Sequence, residues 1–137
     1  MFPIENYKAE LEHRQSGKRL LRSLSVADEA VKLAKRYGAD PERAYAAGLL
    51  HDITKQESYE NQLRLCADFD IILSNLERKT PKLLHAITGE QVARRELGVT
   101  DAVVLDAIRY HTTAKADMPL LTAILYQIGR ASCRERV

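Results

Sequence analysis

The sequence predicts an all-α fold from three observations. Apolar residues recur at the alternating three- and four-residue spacing of a helix along most of the chain. The composition, 45% hydrophobic but only 6% aromatic and without Trp, suits packed helices better than sheets. A capping residue followed by proline, which is typical of a helix start, occurs at Asp40-Pro41 and Thr80-Pro81. The 137 residues suffice for one domain around one core.

The first half of the chain predicts three helices. Residues 4–14 form the first, and residues 18–37 form the second, which ends at Gly38. The expected buried stripe of the second helix consists of Leu20, Leu24, Ala27, Val31 and Ala34. The third starts at Pro41 and runs to a His-Asp pair. Because Gly48 costs this helix about 1 kcal/mol relative to Ala, we expect a neighbouring helix to need the space.

The sequence pattern of the second half of the chain predicts helices separated by short loops. A helix over residues 58–70 has four candidates for burial, which are Tyr59, Leu63, Cys66 and Phe69. Residues 71–79 are expected to be a loop with one helical turn. Two helices follow over residues 80–98 and 100–111, and a last helix begins over residues 119–127. No segment has the alternating pattern of a strand.

The last ten residues, 128–137, are expected to be a tail of separate origin. They leave the apolar spacing straight after Tyr126 and resemble the translation of a sequencing-adapter read-through. The predicted domain therefore covers residues 1–127 and lacks the end of its last helix. The tail holds three Arg and one Glu, so without it the net charge of +2 falls to zero, and no basic excess indicates a nucleic-acid partner. Apolar surface left uncovered by the short last helix predicts association, as in a homodimer.

Three features of the sequence predict the location of the protein. No apolar run approaches the roughly 20 residues that span a bilayer. The first residues lack the basic region and apolar stretch of a signal peptide. Cys66 is the only cysteine outside the tail, so no internal disulfide is expected. We therefore expect a cytoplasmic protein without a membrane partner.

The chemistry-bearing residues centre on His51-Asp52, which ends an apolar run. Neighbours on a helix lie about 100° apart, so both side chains can face one cavity. An imidazole and a carboxylate form a mixed ligand pair for a divalent metal. His85 and His111 each lie beside apolar residues on helical patterns of their own. One such histidine is more often a satisfied core residue, but the repetition favours a dimetal site for hydrolysis of phosphate esters or anhydrides.

Four stretches of the sequence resemble the HD-domain metal-dependent phosphohydrolases, named for the His51-Asp52 pair. They are residues 23–27, 47–55, 81–89 and 107–113. The resemblance is closest to the YqeK-type symmetrical diadenosine tetraphosphate hydrolases. It implies an HD-domain helical bundle that splits this nucleotide substrate into two ADP.

The resemblance also implies the cofactor and its ligands. The matching positions bind two iron ions in the family, with manganese or another divalent metal as the alternative. The implied ligands in this chain are His51, Asp52, His85 and His111.

Two departures from the family pattern affect the expected activity. The family has a histidine where this chain has Arg22, and a protonated guanidinium has no lone pair for a metal. The family's last ligand is an aspartate a few residues past Tyr126, where the tail lies. We therefore expect this chain to bind metal poorly and to hydrolyse little. Two alternatives stay open, namely another HD-type nucleotide phosphohydrolase and a nucleotide-binding module without turnover.

Further residues are candidates for contact with the nucleotide. Asp52 and Lys55 are the expected catalytic residues, and Lys55 would also bind phosphate as a point charge. A solvated lysine that complements the helix dipole is the alternative for Lys55. The other substrate-binding candidates are Gly89, Arg109 and Thr112. Their alternatives are a plain helix crossing, a surface salt bridge and a helix-end hydrogen bond, respectively.

Overall fold

The computed structural model describes residues 2–113 and 116–135, with side chains described up to residue 131. In these ranges it contains eight helices and no strand, which confirms the all-α prediction. The helices are α1 (Ile4–Arg14), α2 (Gly17–Tyr37), α3 (Pro41–Leu50), α4 (Tyr59–Asp68), α5 (Asn75–Lys79), α6 (Pro81–Arg95), α7 (Ala102–Tyr110) and α8 (Leu120–Glu135). Across the described residues, no helix combines the length and apolarity that a membrane span requires.

Helix α3 lies at the centre of the bundle. Helix α2 packs along it, α1, α7 and α8 contact it, and α6 packs against α7. The side chains of Leu49, Leu50 and Ile108 are fully buried between these helices. The arrangement brings the carboxyl ends of α3 and α7 and the first turns of α6 to one place in the molecule.

Gly48 permits the close crossing of α2 and α3, as predicted. A Cβ atom on Gly48 would lie 2.6 Å from the Cα and 3.0 Å from the backbone nitrogen of Ala27. So close an approach selects small side chains on α2. The residues of α2 that are buried are Ser23, Val26, Ala27, Ala30 and Ala34. The predicted stripe was therefore wrong in part, since Leu20, Leu24 and Val31 are only partly buried.

Capping residues start and end helices largely where the sequence predicted. The side chains of Asp40 and Asp101 each accept two backbone N–H groups in the first turns of α3 and α7. Gly38 ends α2 in the left-handed region, at φ 85°. Thr80 precedes α6 but makes no side-chain capping bond, because its hydroxyl donates to the carbonyl of Leu76 instead.

Helix α4 differs from the prediction in the side chains that it buries. Tyr59, expected to be buried, is 47% exposed, and α4 instead buries the polar side chain of Gln62. The loop with one helical turn expected over residues 71–79 is confirmed, since the five-residue helix α5 is that turn. Ser74 and Glu77 start it with a reciprocal capping box, a signal that was present in the sequence.

Helix α8 does not end at Gln127, where the helical pattern was expected to stop. It continues to Glu135. Ile128 is partly buried against the core and lies four residues after the buried Ile124, so the helical apolar spacing extends beyond the expected end. The separate origin of residues 128–137 stays a prediction.

Candidate metal centre

Helix ends and turns position the three histidines. His51 directly follows α3, His111 directly follows α7, and His85 lies one turn into α6. Contacts of α7 with both α3 and α6 bring the three rings together. The ring centroids of His51 and His111 lie 5.1 Å apart in an edge-on arrangement, and those of His85 and His111 lie 6.0 Å apart. All three side chains are buried.

Backbone hydrogen bonds fix the tautomer of each ring. The Nδ1 atom of His51 lies 2.7 Å from the carbonyl oxygen of Gly48. The same atom of His85 lies 3.0 Å from the Pro81 carbonyl, and that of His111 lies 2.7 Å from the Ile108 carbonyl. A carbonyl oxygen only accepts, so Nδ1 carries the proton in each ring. A neutral ring then presents an Nε2 lone pair on its other side.

The three Nε2 atoms converge on the carboxylate of Asp52. His51 Nε2 lies 3.2 Å from Oδ2, while His85 and His111 Nε2 lie 3.2 and 3.5 Å from Oδ1. The donor atoms of His51, Asp52 and His111 all lie within 4.8 Å of one another. Without a cation, a ring bonds to Asp52 only by carrying a second proton on Nε2, whereas a neutral ring turns a lone pair toward the carboxylate and leaves room for a cation between them. The donor set of three nitrogens and a shared carboxylate therefore fits a divalent metal.

Burial and the charges of neighbouring side chains shift the pKa values within the cluster. Burial opposes a charge on His51, but the adjacent Asp52 carboxylate raises the pKa of this ring above its ordinary value. Burial likewise opposes ionisation of Asp52, yet the charge of His51 and hydrogen bonds from the imidazoles hold its pKa well below the usual range. Burial lowers the pKa of His111 and outweighs its bond to Asp52. An ionised Asp52 therefore lies at the centre of the cluster.

A cavity of about 490 Å³ opens on this cluster. Its volume falls in the range typical of small-molecule sites, roughly 300–1,000 Å³. Asp52 is the one acidic residue among the described residues that line it. Four cationic side chains line it as well, and we call them the basic wall: Arg22, Lys55, Lys82 and Arg130. This excess of positive charge suits a polyanionic ligand.

Two of the predicted substrate contacts line the cavity. Lys55 lies with its Nζ atom 3.8 Å from Oδ2 of Asp52. Thr112 also lines the cavity, and its buried Oγ1 has no hydrogen-bond partner within the described part of the chain. The Lys55 ammonium is therefore placed where a ligand of the cavity can reach it, whereas the hydroxyl oxygen of Thr112 is shielded from solvent.

The other two predicted contacts lie elsewhere. Arg109 reaches the buried carboxylate of Glu90 at 3.5 Å, as a structural salt bridge would. A Cβ atom on Gly89 would meet Ile108 and Thr54 at 3.6 Å, an ordinary packing distance at a helix crossing. Neither residue is among the described residues that line the cavity. Contact of Arg109 and Gly89 with the nucleotide stays a prediction.

Sequence reasoning missed part of the basic wall. Lys82 precedes His85 by three residues and so shares its face of α6, a spacing that was readable in the sequence. Arg130 was set aside with the expected tail. Arg22 was read as a lost metal ligand and, in the binding-module alternative, as a cation that holds phosphate, and the structure places it on the cavity beside the histidines.

Comparison with known proteins identifies the family. The HD-domain family matches residues 19–130, which include every ligand candidate named above. This chain belongs to the HD-domain family. The HD domain takes its name from the His51-Asp52 pair, the same pair that the structure places at the centre of the cluster.

Two curated relatives of this HD domain, from Bacillus and Staphylococcus, carry the same name. The symmetrical bis(5'-nucleosyl)-tetraphosphatase of Bacillus subtilis (strain 168) is 36% identical over 108 residues, which cover 79% of this chain and 58% of that protein. The protein of the same name from Staphylococcus aureus (strain NCTC 8325 / PS 47) is 29% identical over 123 residues, which cover 90% and 63%. This chain thus spans less than two thirds of the length of these relatives.

A solved structure has the same fold. The crystal structure of a predicted HD superfamily hydrolase involved in NAD metabolism from Clostridium acetobutylicum matches this HD domain with a TM-score of 0.85 at 35% identity. The match covers 92% of this chain and 67% of that one. The likeness therefore extends over the helices that carry the histidines.

Proposed function

We propose that this chain carries the catalytic centre of a metal-dependent hydrolase of phosphoric anhydrides. The proposed reaction is the symmetrical cleavage of diadenosine tetraphosphate into two ADP. The observation that supports it most directly is the convergence of three histidine Nε2 atoms on Asp52 in a cavity with a basic wall. The shared name of the Bacillus and Staphylococcus relatives supports the same substrate.

The metal would be held by His51, Asp52, His85 and His111. The bound metal supplies Lewis acidity at the phosphoryl oxygens and makes water nucleophilic at neutral pH. The family resemblance favours two iron ions, with manganese as the alternative. The two oxygens of Asp52 face different histidines, since Oδ2 faces His51 and Oδ1 faces His85 and His111. The Nδ1–H bonds to main-chain carbonyls orient the rings for this role.

Residues of the cavity would bind and orient the reactants. In symmetrical cleavage, water adds to one of the two central phosphorus atoms, and the other half departs as ADP. The basic wall would neutralise the tetraphosphate chain, with Lys55 nearest to the reacting phosphoryl group. Thr112 would donate its hydroxyl to a phosphate oxygen after its side chain rotates, since the hydroxyl oxygen is buried. Because Asp52 stays ionised, it accepts a hydrogen bond from the attacking water and orients it.

Arg22 favours a second candidate function. It brings positive charge to the cavity but no lone pair, so it strengthens phosphate binding while adding nothing to metal coordination. A nucleotide-binding module with little turnover would have this combination. The same feature predicts incomplete metal loading if the chain is an enzyme.

Product analysis distinguishes these functions. The purified chain would be incubated with diadenosine tetraphosphate and Fe²⁺ or Mn²⁺, and the nucleotides separated by anion-exchange chromatography. ADP as the sole product supports the proposal, whereas ATP with AMP contradicts symmetrical cleavage. Free phosphate from mononucleotides would indicate another HD-type phosphohydrolase. Calorimetric binding without any product would favour the binding module.

Location and assembly follow from the same proposal. A hydrolase of a soluble nucleotide would act in the cytoplasm. A homodimer also stays a prediction, which size-exclusion chromatography with light scattering would test.

A further inference from the structure

The turn that carries Asp52 is held from one side by a buried glutamine. The Nε2 atom of Gln15, at the end of α1, donates to the main-chain carbonyl of Asp52 at 2.6 Å. The Oε1 atom of Gln15 accepts from the hydroxyl of Ser23 in α2 at 2.7 Å. Gln15 and Ser23 are 3% and 1% exposed. A buried amide satisfied at both ends has one orientation, so it fixes the carbonyl that it contacts.

A second buried glutamine holds the same turn from the opposite side. The Nε2 atom of Gln62 in α4 donates to the main-chain carbonyl of Thr54 at 2.7 Å. The Oε1 atom of Gln62 accepts from the hydroxyl of Thr88 in α6. Thr54 in turn donates its hydroxyl to the main-chain carbonyl of His85 at 3.0 Å. The hydrogen bonds around Gln62 therefore also reach a candidate metal ligand.

The two glutamines thus repeat one arrangement. Each amide donates to a carbonyl of the turn and accepts a hydroxyl from a neighbouring helix. We call Gln15, Ser23, Gln62 and Thr88 the turn clamp. We propose that the turn clamp positions Asp52 and His51 relative to the histidines on α6 and α7, and so sets the metal affinity of the site. The effect on metal affinity rests on the proposed function. The positioning of the turn by the clamp rests on the hydrogen bonds alone.

The local backbone explains why a clamp is needed. Residues 51–56 form successive turns after α3 rather than a continued helix. From the backbone, the carbonyls of Asp52 and Thr54 accept the short-range bonds of the Lys55 and Glu57 amides, both at 3.0 Å. Such turns leave the direction of the Asp52 side chain weakly defined by local structure. The buried bonds from α1, α2, α4 and α6 supply that definition.

Two shape-preserving substitutions test the turn clamp. Gln15→Met removes the amide from one side, and Thr88→Val removes the hydroxyl from the other. Metal affinity would be measured by competition with a chromophoric Mn²⁺ chelator, well below the melting temperature of each variant. We expect both variants to bind Mn²⁺ more weakly by about 10- to 100-fold, as is typical when partners of metal ligands are lost.

Two further variants serve as controls. Thr88→Ser keeps the hydroxyl and should retain wild-type affinity, while Gln91→Met makes the matched glutamine change on the outer side of α6. Wild-type affinity in both Gln15→Met and Thr88→Val would overturn the inference. So would an equal loss in Thr88→Ser, since lost packing would then be the cause.

Hydrogen exchange separates this inference from the proposed function. The amides of Lys55 and Glu57 should exchange faster in Gln15→Met than in the wild type, with or without metal. If the wild-type chain binds no Mn²⁺, the proposed metal-dependent function is wrong. The turn clamp is then tested by the amide hydrogen exchange of Lys55 and Glu57 alone. Unchanged exchange at both amides in Gln15→Met would then overturn the inference.

Discussion

Oδ1 of Asp52 lies 3.2 Å from Nε2 of His85, although Asp52 lies in the turns after α3 and His85 lies in α6. The same oxygen lies 3.5 Å from Nε2 of His111. In each ring the opposite nitrogen donates to a main-chain carbonyl, so the nitrogens facing Asp52 present lone pairs when the rings are neutral. This relationship gives the cluster the donor set that a divalent metal requires.

Arg22→His should increase metal binding. The substitution replaces a permanent cation on the cavity by an imidazole with a lone pair. We expect the variant to retain more Mn²⁺ or Fe²⁺ per chain than the wild type, measured by mass spectrometry of the desalted protein. Arg22→Lys is the control, because it keeps the charge and should leave the metal content unchanged. Equal metal content in wild type and Arg22→His would contradict this prediction.

Lys82→Ala should weaken binding of polyphosphate ligands. Lys82 lines the cavity, so its ammonium can pair with a phosphate group there. A lost charge-assisted contact of this kind is worth about 1.4 kcal/mol, or roughly tenfold in the dissociation constant. Isothermal titration with ADP in low salt measures the change. The exposed Lys79, outside the cavity, provides the control Lys79→Ala, and a similar loss in both variants would argue against a specific contact.

Gly48→Ala should destabilise the fold. The new Cβ atom would lie 2.6 Å from a backbone atom of Ala27, so α2 and α3 must move apart. Overpacking of this kind costs about 1–3 kcal/mol, which outweighs the gain in helix propensity. Urea denaturation would report the fall in the free energy of unfolding. A Cβ atom on Gly129 meets open space, so Gly129→Ala should be neutral or stabilising.

Asp101→Asn should remove part of the pH dependence of stability. Burial opposes ionisation of Asp101, but the guanidinium of Arg43, at 2.8 Å, lowers the pKa of the carboxyl below its ordinary value. A carboxyl with a lowered folded-state pKa stabilises the protein above its unfolded-state pKa, and this contribution disappears as the pH falls through the folded-state pKa. Asn keeps the helix-capping oxygen but not the charge.

The wild type should therefore be more stable than Asp101→Asn at pH 7, and the two should converge in strong acid. Thermal melts from pH 7 down to pH 2 would show this. Asp106→Asn, at an exposed position of α7, controls for the change in net charge. A constant difference between wild type and Asp101→Asn at all pH values would count against the role of the ion pair.

The sequence predicted the features that depend on local chemistry. Helix boundaries followed from capping residues such as Asp40 and Asp101 and from the left-handed Gly38. The His-Asp pair and the two distant histidines were identified by their placement beside apolar residues. These signals are local, because capping and helical spacing are properties of a few consecutive residues.

Features that depend on tertiary packing could not be predicted in the same way. The buried stripe of α2 is set by the close approach at Gly48, and the exposure of Tyr59 is set by the orientation of α4. Gln15 and Gln62 look like surface residues in the sequence, and only the packed helices reveal that they are buried. The basic wall likewise combines residues from segments that are far apart in the chain.

Titration with Mn²⁺ of the wild type and of Asp52→Asn tests the central claim most directly. The substitution keeps the shape of the side chain but removes the charge on which the three imidazoles converge. We predict a saturable site in the wild type, and a loss of affinity above about 100-fold in Asp52→Asn, since loss of an outer partner alone costs 10- to 100-fold. Equal Mn²⁺ affinity in the two proteins would contradict the metal centre.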